Sequence, residues 1–167
     1  MRRLLAFAIG LALAIVLGWS LGFVRPYGPI GGGRLRGAVS PPPADWSFVD
    51  RIPEIEIETR WGPLPWTVTT WVLSHDRKLY APSRNCLAKR WVKNVLAQPD
   101  VRVRIADSVY ELRAVRDEDP AVGRALLDEM LRKYLGIEAV DPRPVEGQGP
   151  EETARAYGCA FRLEPRS

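Results

Sequence analysis

The stretch SRNCLAKRWVKN, residues 83–94, holds the side chains best suited to chemistry in this chain. Ser83, Arg84, Lys89, Arg90 and Lys93 set one hydroxyl and four cations around Trp91. A strand reading KLYAPS ends at Ser83 and a helix opens near Cys86, so the basic residues straddle a strand-to-helix turn. Free N–H groups at a helix start bind anions, and the helix dipole favours negative charge there. Arg84 and Lys89 add charge, Ser83 a hydroxyl and Asn85 a cap. A phosphate fits such a turn. The competing use is a solvated basic face.

The other candidates are weaker. His75 is the only histidine, and its neighbours Ser74 and Asp76 cannot form a relay with it from adjacent turn positions. It reads as a solvated turn residue. Glu54, Glu56 and Glu58 alternate along one strand and read as an outer face balanced by Arg60, Arg102 or Arg104. Cys86 and Cys159 lack metal-ligand spacing, so no metal site and no catalytic side chain is assigned. An oxidising compartment would let the two cysteines pair. Spacing gives no distance, and two unpaired thiols is the reading adopted. A net charge of +4, spread along the chain, gives no dense basic arm, and nucleic acid is not an expected partner.

The elements that must position these residues are mostly strands. EIEIET (54–59), PWTVTTWVL (65–73), KLYAPS (78–83), VRVRI (101–105), SVYELRAVR (108–116) and YGCAFRLE (157–164) carry alternation or β-branched and aromatic enrichment. SHDR and ADS read as tight turns. One helix covers about 86–97, with Leu87, Trp91, Val92 and Val95 on its apolar stripe and Pro99 ending it. A second has Asp119 as N-cap, Pro120 as first residue and Gly136 as stop. Residues 141–152 read as an exposed loop. Six short strands and two flanking helices predict a mainly β, six-stranded antiparallel barrel.

The chain opens with MRRLLAFAIGLALAIVLGWSLGFVRP, whose uncharged run from Leu4 to Val24 matches one bilayer crossing. It is longer than a signal-peptide apolar core, and we read residues 1–25 as an uncleaved anchor, with a cleaved export signal as the alternative. Residues 26–44, rich in Pro and Gly, read as a linker that is flexible at Gly31–Gly33. Residues 45–167 form the folded domain. The arginines at the two ends of the apolar run nearly balance, and the reading leans to a globular part outside the cytoplasm.

The order WTVTTWVLSHDRKLYAPS (66–83) followed by AKRWVKNVLAQPDVRVRIADSVYELRAVR (88–116) resembles the split β-barrel flavin-binding superfamily. That superfamily includes pyridoxamine-phosphate-oxidase-like proteins and deazaflavin-dependent nitroreductases. The pattern vtt…g…y..s is matched by Val68, Thr69, Thr70, Tyr80 and Ser83. The helix pattern W..N..a.P.V.v is matched by Trp91, Asn94, Ala97, Pro99, Val101 and Val103. The resemblance covers about residues 46–135 and implies a six-stranded, usually dimeric barrel holding FMN or a deazaflavin (F420). It implies that Val68, Thr69 and Thr70 lie beside the ring and Ser83, Arg84 and Lys89 near the phosphate. Trp91 is counted with this cofactor-binding set. A quinone-like or nitro-aromatic acceptor, and membrane lipid around the N-terminal helix, are the partners implied. The chain departs from the pattern where RWGPLPW stands between the first two strands without the usual basic run. The alternative is a non-catalytic barrel that binds a partner protein or small ligand at the membrane.

Overall fold

The computed structural model describes residues 2–27, 30–84, 86–137 and 158–166. The expected loop at 141–152, the Asn85 cap, Tyr157 and the side chain of Leu87 lie outside the described residues.

Helix α1 (Arg2–Ser20) has no buried residue and is long and apolar enough to cross a membrane. At 1.5 Å per residue it is about 28 Å long, close to a bilayer's hydrocarbon thickness. The chain then reverses at Gly22 (φ +79°) and runs along the folded domain.

Seven antiparallel strands make one sheet in the order β2-β1-β5-β6-β7-β4-β3. Strands β1 (Glu54–Trp61) and β2 (Leu64–Trp71) form a hairpin around Gly62, and β3 (Leu73–His75) and β4 (Lys78–Ser83) form another. Asp76 and Arg77 both adopt positive φ (49° and 62°), as the turn of a two-residue hairpin requires. Strands β5 (Asp100–Ile105) and β6 (Ser108–Asp117) pair with each other, and β7 (Cys159–Pro165) lies between β6 and β4. β2 and β3 are separated by Val72 alone, yet they stand at opposite ends of this order. The sheet must therefore curl until its ends meet, which makes a barrel that is split between β2 and β4.

Alternation decides which faces fill it. Ile55, Ile57, Val101, Val103, Ile105, Leu112, Phe161 and Leu163 point inward and are buried, each worth about 1.5–3 kcal/mol of transfer free energy. Helix α2 (Arg90–Ala97) closes one end with Trp91, Val92 and Val95, Trp91 meeting Phe161 edge to face. Helix α3 (Pro120–Met130) packs Leu126 against Leu73 and Tyr80. The Asp119 carboxylate caps it by accepting from Ala121 N–H at 2.8 Å, and after a wider last turn Gly136 (φ +64°) ends it.

The expected mainly β split barrel with flanking helices and an apolar N-terminal helix is the observed class, with seven strands where six were expected. The extra strand arises because PWTVTTWVL breaks at Val72. Tyr134 Oη accepts from Val72 N–H (3.0 Å) and Lys133 Nζ donates to Val72 O (2.7 Å), so the last turns of the α3 segment satisfy the broken backbone.

Three further expectations are corrected. Glu58 is not on a solvated face: it is 6% exposed, accepts from Leu35 N–H at 2.6 Å and pairs with Arg102 at 3.3 Å. Leu35 belongs to the stretch read as a linker, and it and the glycines read as flexible are instead held on the barrel. Gly32 exchanges two backbone hydrogen bonds with Thr67, and a Cβ on Gly33 would stand 1.9 Å from Trp19 O. Those glycines permit close approach. His75 is half-buried, with Nδ1 3.0 Å from Glu129 Oε1, so it ties β3 to α3 rather than standing in solvent.

Candidate functional site

The split in the barrel is a groove of about 610 Å³. β2 forms one wall through Val68, Thr69 and Thr70, and Ser83 and Arg84 at the end of β4 form the other. Lys89 and Trp91, at the start of α2, close one side. The structure thus brings together all seven residues singled out in the sequence. They come from β2 and from the single stretch 83–91, which the fold sets against each other.

Their roles differ by exposure. Arg84 and Lys89 are exposed, and among the described residues no carboxylate pairs with either. Ser83 is 6% exposed, and among the described residues its hydroxyl makes only a long contact of 3.4 Å with Arg84 O. Trp91 is 4% exposed, so it is mainly a core residue that reaches the groove. Lys89 is the N-cap of α2 in extended conformation, and among the described residues no side chain caps this helix start. Its first N–H groups are therefore available to an anion, beside two cations without described acidic partners.

β2 is an edge strand, which matters for what the groove can bind. Thr67 directs its N–H and C=O away from β1, to Gly32 (2.9 and 2.7 Å). In an antiparallel pair every second residue faces the same way, so Thr69 also turns both groups from β1 toward the split. No described backbone group pairs with Thr69 there. A planar heterocycle with an acceptor beside a donor along one edge matches such a backbone pair.

Five further residues line the groove, Arg90 of the basic stretch among them. Trp66 and Trp71 stand at either end of the β2 wall, five residues and about 17 Å apart. Glu54 opposes Trp71 in the hairpin register, and Pro82 precedes Ser83. Arg90 lays its guanidinium over Trp61 (4.5 Å) and Trp66 (4.9 Å). Trp66 shares a strand face with Val68 and Thr70, a period-two signal that could have found it.

The turn is pinned by a disulfide. Cys86 and Cys159 are bonded, with Cα atoms 5.3 Å apart, which overturns the reading of two unpaired thiols. Cys159 pairs with Ser83 in the sheet, and Gly158 (φ +81°) passes so close to Ser83 O that a Cβ would lie 2.3 Å from it. The fold, not the sequence spacing, brings residues 73 apart into bonding range.

No family model and no curated protein matches the sequence. Solved structures do. A candidate pyridoxamine 5′-phosphate oxidase from Listeria innocua is similar over 71% of this chain and 88% of its own, at 15% identity and TM-score 0.51. A conserved hypothetical protein from Mycobacterium tuberculosis is similar over 72% of this chain and 77% of its own, at 18% identity and TM-score 0.51. An F420-H2-dependent reductase matches over its whole length and 77% of this chain, at 16% identity and TM-score 0.47. These structures share the fold of this chain, a split antiparallel β-barrel.

Proposed function

We propose that this chain is a membrane-anchored oxidoreductase that binds FMN or a deazaflavin (F420) in the groove between β2 and β4. The observation that carries this reading is the convergence on one groove of an edge strand with a free backbone pair and a cationic turn at an uncapped helix start. Arg84, Lys89 and the first N–H groups of α2 would hold a phosphate, with Ser83 beside them. Val68, Thr69 and Thr70 would face a flat ring, and the Thr69 backbone would orient its polar edge. The cofactor, when bound, supplies hydride or electron transfer. The protein's part is to position it, to hold its charge and to exclude water with Trp66, Trp71 and Trp91.

A quinone-like or nitro-aromatic acceptor suits a groove with aromatic ends, and a homodimer is the assembly that the superfamily resemblance suggests. Helix α1 supports anchoring. The disulfide supports placing the domain outside the cytoplasm, because such bonds persist in oxidising compartments.

The test is titration of the purified full-length chain, in detergent, with FMN and with F420, followed by cofactor fluorescence. Saturable binding of one of them is expected, together with reoxidation of its chemically pre-reduced form by a soluble quinone or nitro-aromatic, which takes up the two electrons. No saturable binding of either sinks the reading. Binding without turnover of any acceptor would favour the non-catalytic barrel.

A further inference from the structure

The end of the barrel next to α1 carries a feature that cofactor binding does not use. Trp19, one residue before the end of α1, donates from Nε1 to Pro65 O at 2.7 Å and packs against Trp66 with ring centroids 5.6 Å apart. Trp66 in turn meets Trp61 edge to face at 5.8 Å, and Arg90 lies over Trp61 and Trp66. A row of three tryptophans therefore runs from the apolar helix to the tip of the β1–β2 hairpin. The junction is clamped as well as touching: Arg34 N–H donates to Trp19 O (3.1 Å) and Gly33 N–H to Val24 O (2.8 Å). The barrel consequently cannot swing away from the helix end without breaking these bonds.

The outer side of this row is open. Trp61 is 51% exposed, and Phe23 and Tyr27 nearby in the chain are exposed too. The hairpin tip itself is basic: residues 60–66 and 84–93 carry Arg60, Arg84, Lys89, Arg90 and Lys93 and no Asp or Glu. Farther along β1, Glu56 stands with Arg25, Arg34 and Arg36, and Glu54 lines the groove. Exposed Trp and Tyr ringed by arginines suit the headgroup layer, where amphipathic rings settle and anionic lipids attract basic side chains, each worth about 1 kcal/mol near the surface.

We infer that the hairpin tip around Arg60, Trp61 and Arg90 is a docking surface for an anionic bilayer. The barrel lies against the membrane with this tip in the headgroup layer, and the groove, which shares Trp66 and Arg90 with the surface, opens at that level. The inference rests on the anchor reading of α1. Two observations select a bilayer over other occupants: the face is continuous with a helix able to cross one, and its charge complements anionic lipid.

The experiment uses the full-length chain reconstituted in phosphatidylcholine vesicles with and without phosphatidylglycerol. Spin labels are placed at Trp61→Cys and, in case that variant misfolds, at Arg60→Cys. Lys78→Cys, exposed on the β3–β4 turn, is the reference. With the native cysteines bonded, only the new thiol reacts. The expected result is a label at 61 or 60 relaxed by lipid-dissolved oxygen and shielded several-fold from an aqueous nickel chelate relative to 78, more strongly with phosphatidylglycerol. Aqueous exposure equal to that at 78, in a chain that resists carbonate extraction, overturns the docking surface and leaves the anchor standing. A chain that carbonate extracts overturns the anchor and the surface with it. Shielding that persists in detergent and grows with protein concentration assigns the face to a second copy and also overturns it.

Discussion

Removing the Cys86–Cys159 bond by the double substitution Cys86→Ala and Cys159→Ala should cost this domain a large part of its stability. The bond closes a loop of 73 residues. Loop-closure entropy for that length gives about 4.4 kcal/mol at 25 °C. Total stabilities of such domains are about 5–15 kcal/mol, so the loss is a substantial share. Local geometry adds a second effect. Cys159 is the sheet partner of Ser83, and the bond holds Cys86 at the far side of the Ser83–Arg84 turn. Without it the turn is held by the β4–β7 pairing alone, and affinity for a phosphate-bearing ligand should fall together with stability. Urea unfolding of the full-length chain in detergent measures the first effect. The midpoint should drop and the slope should rise, because an uncrosslinked denatured chain exposes more surface. A loss below about 1 kcal/mol would refute the chain-entropy reasoning, whose magnitude scales only with loop length. Two thiols that react in the native protein as isolated from membranes would refute the oxidised state itself.

Three other outcomes follow from the same structure. Arg84→Gln and Lys89→Gln should each weaken FMN or F420 binding by about 1.5–3 kcal/mol, roughly ten- to a hundredfold, without changing the melting midpoint; cofactor titration and thermal unfolding read the two separately. Glu58→Ala should cost about 2 kcal/mol, since it leaves the mostly buried Arg102 with only Glu111 at 3.7 Å for a described carboxylate and frees Leu35 N–H, and limited proteolysis should then cut within residues 26–44. Tyr134→Phe should cost about 1 kcal/mol by unpairing Val72 N–H. Burial chiefly pushes the Tyr134 hydroxyl above its ordinary value of 10.0, so the folded state keeps a proton that the unfolded chain loses. That stability is present below about pH 10 and is lost as pH rises further, so the deficit of Tyr134→Phe should shrink above pH 10 in urea midpoints measured across that range.

How far the sequence could be read depended on whether the deciding partner was local. β5 and β6 announce themselves by alternation, which VRVRI records directly, although its outer Arg102 and Arg104 are covered by the chain at Leu35 and Arg36 and paired with Glu58 and Glu56. Ser83, Arg84 and Lys89 were legible as a basic strand-to-helix turn, whereas Val68, Thr69 and Thr70 came only through the resemblance. Val72 was not, because PWTVTTWVL is a continuous β-prone run and its break is stabilised by Lys133 and Tyr134, more than sixty positions away. The cysteines failed for the same reason, since only the β4–β7 register sets their distance. Gly31–Gly33 are the most instructive case. A glycine run reads equally as freedom or as close approach, and the difference lies in whether something bulky arrives. Here Trp66 fills the space a Cβ on Gly31 would need, and the Trp19 backbone fills that of Gly33. The run that looked like a tether is what lets the end of α1 sit directly on the groove's edge strand. A flexible linker would let the groove face any direction. A clamped one fixes the groove relative to the end of α1, and on the proposed anchoring that sets its height above a membrane and the molecules that can reach it.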